Sequence, residues 1–209
     1  MEFVARNTLI PVPKIYCAFK RKGWTYIVME KVKGETMALN WQSRSAESKA
    51  DILRQLKELI ESMRHLVPSS SAVANVDGGR LLPGQSLDFG PFNNVDAFHQ
   101  YLRGGFDAVS ERFPPDVNDL IHFHDREWPM PVFTHGDLSS LNIMVEDDKI
   151  TGIIDWETAG WYLPYWEYTA ACQVNFRNTF WRDEIDKFLV PWPAELKQEE
   201  VRRRYFGDV

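Results

Sequence analysis

Disulfide chemistry is the first thing this sequence lacks. Its 209 residues hold two cysteines, Cys17 and Cys172, too few for the cross-linked framework of a small secreted domain. Cys17 alternates with apolar neighbours, which predicts a place in the core. Long apolar runs are missing as well, since no stretch approaches the roughly 20 residues that cross a bilayer. No basic-then-apolar leader opens the chain. A cytoplasmic location and no membrane partner are therefore expected. Nor is there an excess of positive charge. The net charge of -6 argues against nucleic acid as a partner, because phosphate backbones select basic surfaces. The run Arg202-Arg203-Arg204 reads as a solvated helix face. Glycine is scarce at the front, and none precedes Gly23. Apolar residues are plentiful at 44%, with eight tryptophans. That suffices for a sizeable core, in one large domain or two small lobes.

Chemically useful residues concentrate in one stretch, Val132 to Glu157, which reads VFTHGDLSSLNIMVEDDKITGIIDWE. His135, Gly136 and Asp137 open a polar loop, and Asn142 follows five residues after Asp137. Two apolar runs come next, Ile143–Val145 and Ile150–Ile154, with Asp147-Asp148 as a turn between them. Asp155 ends the second run. This pattern predicts a hairpin, which brings Asn142 and Asp155 close together with Asp137 just upstream. Oxygen donors of this kind suit a hard cation such as Mg2+, which keeps several waters and adds phosphate ligands. Asn142 and Asp155 are the expected metal ligands. Asp137 is then free to hold a substrate hydroxyl and accept its proton. The same division of labour occurs in protein kinases. An Asp- and Asn-rich surface hairpin is the bland alternative, and it leaves the clustering unexplained.

HGDLSSLNIMV followed by IIDWE resembles the aminoglycoside phosphotransferase and choline kinase-like family, which shares the protein-kinase fold. Gly136 stands where protein kinases have Arg, and Trp156 where they have Phe, as in the small-molecule kinases. The resemblance implies ATP and Mg2+ as cofactors and a small-molecule substrate. It implies Asp137 as catalytic base, with His135 holding the catalytic loop, and Asn142 and Asp155 on the metal. YIVMEKVKG resembles the last N-lobe strand and the hinge, so Met29, Glu30 and Val32 are expected at the adenine. Glu157 is a lesser candidate for supporting the metal shell. Glu167 stands where the family often has an acidic residue under the active-site loops. The expected fold class is α+β and protein-kinase-like. A truncated N-lobe of two-stranded ribbon and hinge (1–34) precedes a mainly helical C-lobe (35–209) carrying the catalytic hairpin (132–157).

The family's glycine-rich loop and phosphate-gripping lysine belong upstream of IPVPKIY, where too few residues stand. The expectation is that this half is missing, through truncation or in a natively short protein. Weak ATP binding and slow phosphoryl transfer follow. Two other functions fit the same residues. One is acid/base chemistry on a small metabolite by His135, Asp137 and Asp155. The other is a pseudokinase-like binding module.

Elsewhere, Met1–Asn7 reads as the last turns of a helix, stopped before Pro11 and Pro13. Lys14–Phe19 and Trp24–Glu30 read as strands. Their open edges predict a homodimer covering the ribbon. Residues 35–47 look irregular. Ser48–Leu66 carries an apolar stripe of helical period, with His65 as a cap. Pro68–Gly90 reads as a long loop. Helices are expected over Val95–Phe113, broken near Gly104-Gly105, and over Asp116–Trp128. His122 and His124 lack ligand spacing with any cysteine. Trp161, Tyr162, Tyr165, Trp166 and Tyr168 predict an aromatic core under the hairpin, with a helix from Pro164 to about Asn175. Trp181–Leu189 and Ala194–Phe206 complete the expected helices.

Overall fold

Pro11 and Pro13 cannot continue a helix, and the first helix stops before them. It is α1 (Glu2–Asn7), and Thr8 closes it with its hydroxyl on the Val4 carbonyl. A computed structural model describes residues 1–81, 89–173 and 176–207. After α1 come β1 (Ile15–Arg21), β2 (Trp24–Met29), β3 (Glu35–Thr36), α2 (Met37–Asn40) and α3 (Ala46–Arg64). Then follow α4 (Val95–Leu102), α5 (Pro115–His124), β4 (Val132–Thr134), β5 (Ile143–Glu146), β6 (Lys149–Ile153) and β7 (Gly160–Tyr162). The last helices are α6 (Trp166–Ala171), α7 (Arg182–Ile185) and α8 (Pro193–Phe206), with 3-10 turns at Trp156–Thr158 and Phe176–Trp181. Among the described residues no helix is long and apolar enough to cross a membrane.

The chain divides into two compact units. The first comprises Met1–His65, Leu138–Trp156 and Val174–Leu189. Its centre is an antiparallel sheet in the order β3-β5-β6. The Ser45 side chain accepts the Ser48 N–H and so caps α3. Ile52, Leu53, Leu56, Ile60 and Met63 form the buried stripe that the period predicts. Residues 35–47 are more ordered than their composition suggests. They hold β3 and α2, and Trp41 is fully buried with its indole N–H on Glu184 Oε1 at 3.2 Å. The ribbon of β1 and β2 pairs antiparallel, Phe19 opposite Tyr26. It is exposed along nearly its whole length. Cys17 is therefore exposed, not in the core. Alternation forms the strand there, but no second layer covers it among the described residues.

The second unit comprises Leu66–Asp137, Glu157–Gln173 and Val190–Val209. β4 pairs with β7, and Ala74 bridges to Trp161 on β7. An aromatic core gathers Phe89, Phe98, Tyr162 and Tyr165, with Phe92, Trp128 and Trp166 against it. Tyr162 and Trp166 stack at 5.3 Å. The aromatics crowded into 161–168 are mainly packing, as their density implies. α4 ends at Leu102, well before Phe113, and α5 ends at His124. The Trp128 indole N–H donates to the His124 carbonyl at 3.3 Å and takes over the end of α5. Residues 82–88 of the expected loop and the last two residues of the expected 164–175 helix lie outside the described residues.

Candidate functional site

The predicted site residues fall on both units. His135 and Asp137 belong to the second, and Met29, Glu30, Val32, Asn142 and Asp155 to the first.

In the second unit, β4 delivers the chain into His135-Gly136-Asp137. Glu167, on α6, is completely buried. Its carboxylate accepts the His135 N–H at 2.7 Å and the Gly136 N–H at 3.1 Å. A buried carboxylate is costly unless its oxygens are satisfied, and here two backbone donors satisfy them. From the other side, the Thr158 hydroxyl donates to the His135 carbonyl at 2.8 Å. Gly136 sits at φ +85°, and a Cβ there would lie 2.9 Å from both Thr158 O and Oγ1. Only glycine fits this turn, which explains the residue type at this position. The His135 ring is buried, and its Nδ1 accepts the Asp137 N–H at 3.2 Å. That bond requires an unprotonated Nδ1, so the neutral ring carries its proton on Nε2. Asp137 itself is exposed. A fixed backbone thus carries a solvent-accessible carboxylate.

In the first unit, Leu138–Ser140 is pinned by side chains from 38 to 43 positions downstream. Trp181 donates to the Leu138 carbonyl at 3.1 Å, and Ser140 donates to Asn178 Oδ1 at 2.6 Å. Asn142 is buried, its N–H on Ser139 O at 2.9 Å. Its carbonyl accepts the Ile154 N–H at 2.9 Å. Hairpin pairing of Ile143 with Ile153 continues this contact. The structure therefore brings Asn142 to the end of the strand that leads into Asp155. Asp155 is exposed and adopts φ +64°, a region that Asp tolerates better than most residues. Trp156, behind it, is buried with its indole N–H on the Ile153 carbonyl.

The turn of this hairpin is held too. Arg44 Nη1 donates to Asp147 O at 2.6 Å and to Asp148 Oδ1 at 3.0 Å. Ser48 donates to the same Asp148 oxygen at 2.5 Å, and Gln55 spans Asp148 O and the Ile150 N–H. The expected hinge lies along the hairpin. Val32 covers Gly152, where a Cβ would approach its Cγ1 to 2.7 Å, and Thr151 donates to Lys33 O at 2.7 Å. Glu30 donates its N–H to Lys14 O at 2.8 Å, and Met29 ends β2 with its side chain exposed.

The donors fit Mg2+. Asn142 and Asp155 offer an amide and a carboxylate oxygen. No group of three or more His, Cys, Asp or Glu able to hold a metal occurs among the described residues. A cation on these two would complete its shell from water and phosphate, the habit of Mg2+. Sequence reasoning gave no role to Thr158, Asn178, Trp181 or Arg44. Each acts across 23 to 104 positions, and no local pattern marks them.

Comparison with known proteins settles the class. The fold is the protein-kinase-like fold of the aminoglycoside phosphotransferases. A ternary complex of a thermostable mutant of aminoglycoside phosphotransferase APH(4)-Ia with ADP and hygromycin B superposes with a TM-score of 0.55 at 18% identity. That match covers 98% of this chain and 64% of that one. A complex of an APH(2") enzyme with GDP and kanamycin gives 0.60 at 14% identity, covering 94% and 67%. The phosphotransferase enzyme family matches residues 1–196, and the chain belongs to it. An aminoglycoside 3'-phosphotransferase of Enterococcus faecalis is 27% identical over 157 residues, 73% of this chain and 56% of that protein. One from Staphylococcus aureus is 26% identical over the same length. The chain thus spans little more than half the length of these curated relatives.

Proposed function

We propose that this protein is an ATP- and Mg2+-dependent phosphotransferase acting on a hydroxyl or amine of a small polar molecule. One observation carries the reading. Asp137 is an exposed carboxylate on a loop whose backbone a buried glutamate fixes at the two preceding residues. Phosphoryl transfer asks a protein chiefly for positioning and charge stabilisation. Asp137 would accept a hydrogen bond from the acceptor group and take its proton as that group bonds to the γ-phosphorus of ATP and the γ-phosphorus–bridging-oxygen bond breaks, with ADP as the leaving group. The backbone that carries this carboxylate is held, because the Asp137 N–H is tied to His135 and the two N–H groups before it to Glu167. His135 orients this loop and does not itself move the proton. Asn142 and Asp155 would hold Mg2+, which when bound offsets the charge of the phosphates. The backbone of Glu30–Val32, with Met29, receives the adenine. The relatives' names point to aminoglycosides as the first acceptors to test.

The test is transfer of labelled γ-phosphate from MgATP to a panel of aminoglycosides under single-turnover conditions, with Asp137→Asn alongside. Transfer that falls at least about a thousandfold in the variant, with unchanged thermal unfolding, supports the assignment. Equal transfer by both proteins refutes the role of Asp137. No transfer to any acceptor, with no stabilisation by MgATP, refutes the reading as a whole.

A further inference from the structure

We infer that Asn178 is a positioning residue for the metal-binding end of the loop: through Ser139 and Ser140 it holds Asn142 in place and so sets the affinity for the cation. The inference rests on the assignment of Asn142 to Mg2+ and deepens it, because it names the side chain on which that ligand's placement depends. Four residues, Leu138 to Leu141, separate Asp137 from Asn142. Ser139 is the hub among them. Its carbonyl accepts the Asn142 N–H at 2.9 Å, and its hydroxyl accepts the Leu141 N–H at 3.2 Å. The amide of Asn178 spans both serines. Its Oδ1 accepts the Ser140 hydroxyl at 2.6 Å, and its Nδ2 donates to Ser139 Oγ at 3.4 Å. The shorter bond carries most of the grip. The Ser140 carbonyl in turn accepts the Ala38 N–H at 3.2 Å. Asn142 is thus tied at both backbone groups, its N–H to Ser139 and its carbonyl to Ile154, at 2.9 Å each. Asp155, the second candidate ligand, follows Ile154 directly. A shift of Ser139 removes one of the two ties that place Asn142 beside the strand leading into Asp155.

The chemistry of this contact favours geometry over packing as its purpose. Asn178, Ser140 and Asn142 are all buried. Burying an amide and a hydroxyl costs free energy that their mutual hydrogen bond does little more than offset. Two apolar side chains would fill the same space without that cost. What the polar pair adds is direction. The backbone at Asn178 also leaves helical geometry, at φ −131° and ψ 30° inside the 3-10 segment, a break that asparagine accepts more readily than a good helix former. Groups that orient a metal ligand from behind typically change metal affinity by about 10- to 100-fold. Glu167 acts on the other side of the motif, on the backbone before Asp137. Substitution at Asn178 should therefore act on cation affinity, whereas Glu167→Gln acts on the transfer rate at saturating cation.

The test follows Mn2+ as the probe cation, by electron paramagnetic resonance with ADP present, in the 209-residue protein and its variants. Asn178→Ala should weaken Mn2+ binding at least about tenfold. Asn142→Ala, which checks the metal assignment itself, should weaken it at least as much. Amide exchange read by NMR supplies a measure that needs no cation. In Asn178→Ala the Asn142 N–H should speed up at least about tenfold more than the Ile60 N–H of α3. Ser140→Ala removes the 2.6 Å bond from its other partner. It should reproduce both effects, and it decides the matter alone if Asn178→Ala fails to fold. Unchanged Mn2+ affinity, or unchanged exchange at Asn142, overturns the inference, while the metal assignment still stands where Asn142→Ala loses the ion. Equal acceleration at Asn142 and Ile60 reduces Asn178 to a general stabiliser and overturns it too. If Asn142→Ala binds Mn2+ as tightly as the native protein, or the native protein binds none, the metal assignment falls and the inference falls with it.

Discussion

Glu167→Gln isolates what holds the candidate catalytic loop. The native carboxylate accepts two backbone N–H groups, at 2.7 and 3.1 Å, from a completely buried position. Glutamine keeps one acceptor oxygen and turns an NH2 group toward the other N–H. One charge-assisted bond is lost, and a donor is left facing a donor in a dry site. Hydrogen bonds to charged groups contribute about 1.5–3 kcal/mol each, and an unsatisfied buried donor costs about 1–3 kcal/mol. These terms overlap, so the expected destabilisation is about 2–4 kcal/mol. That lies below the roughly 5–15 kcal/mol stability of an ordinary domain, so the variant should stay folded at room temperature. Urea unfolding gives the first number. Single-turnover transfer, measured where the variant is fully folded, gives the second. Because the loop backbone relaxes next to Asp137, the transfer rate should fall by about 10- to 100-fold, with little change in acceptor affinity. Glu167→Ala should do worse on both counts, since it frees both N–H groups. A loss of stability under about 0.5 kcal/mol with an unchanged rate would show that Glu167 does not position the loop.

Gly136→Ala should cost about 2–4 kcal/mol and remove most activity. The left-handed φ of +85° penalises a Cβ, and the new methyl would meet Thr158 backbone at 2.9 Å; urea unfolding and transfer rate read this out. Stability should also depend on pH through two stacked histidines. His99 and His124 lie face to face at 4.1 Å, and burial lowers both, His99 to about 3. The folded protein therefore binds fewer protons than the unfolded chain between about pH 3 and 6.5. Stability is full above 6.5 and falls as pH drops through that window, by up to about 1.4 kcal/mol per pH unit for each ring. Urea melts from pH 7 to 4.5 should show the slope, and His99→Gln should flatten it. A slope that survives in that variant unchanged would assign it elsewhere.

Local signals made some of this readable from sequence and long-range ones did not. The hairpin of β5 and β6 was legible because two apolar runs flank an Asp-Asp turn, and Asp147 does take the left-handed φ of +53°. The family was legible because HGD, Asn142 and IIDWE keep a fixed spacing. Cys17 was misplaced for a physical reason: alternation announces a strand and says nothing of what covers it. Residues 35–47 looked irregular because β3 is two residues long, and its order comes from Val145 and Met144 across the sheet. The end of α5 was overrun because side chains take the His124 carbonyl in place of the next turn, Trp128 from four positions on and His99 from 25 positions away.

The stretch 132–157 shows why a motif can be read long before its support can. Its residue types are fixed by chemistry and lie a few positions apart. Its rigidity comes from afar, and each unit supplies its own. Glu167 and Thr158 grip residues 135 and 136 in one unit, while Trp181 and Asn178 grip residues 138 to 140 in the other. The division between the units falls within this stretch, after Asp137 and again after Trp156. A reactive carboxylate on a free loop would sample many orientations and would forfeit the advantage that positioning gives. On the proposed reading, buried side chains with no chemistry of their own therefore matter to the reaction through the position they give Asp137. Any account of substitutions in this protein has to weigh Glu167 and Asn178 beside the motif itself.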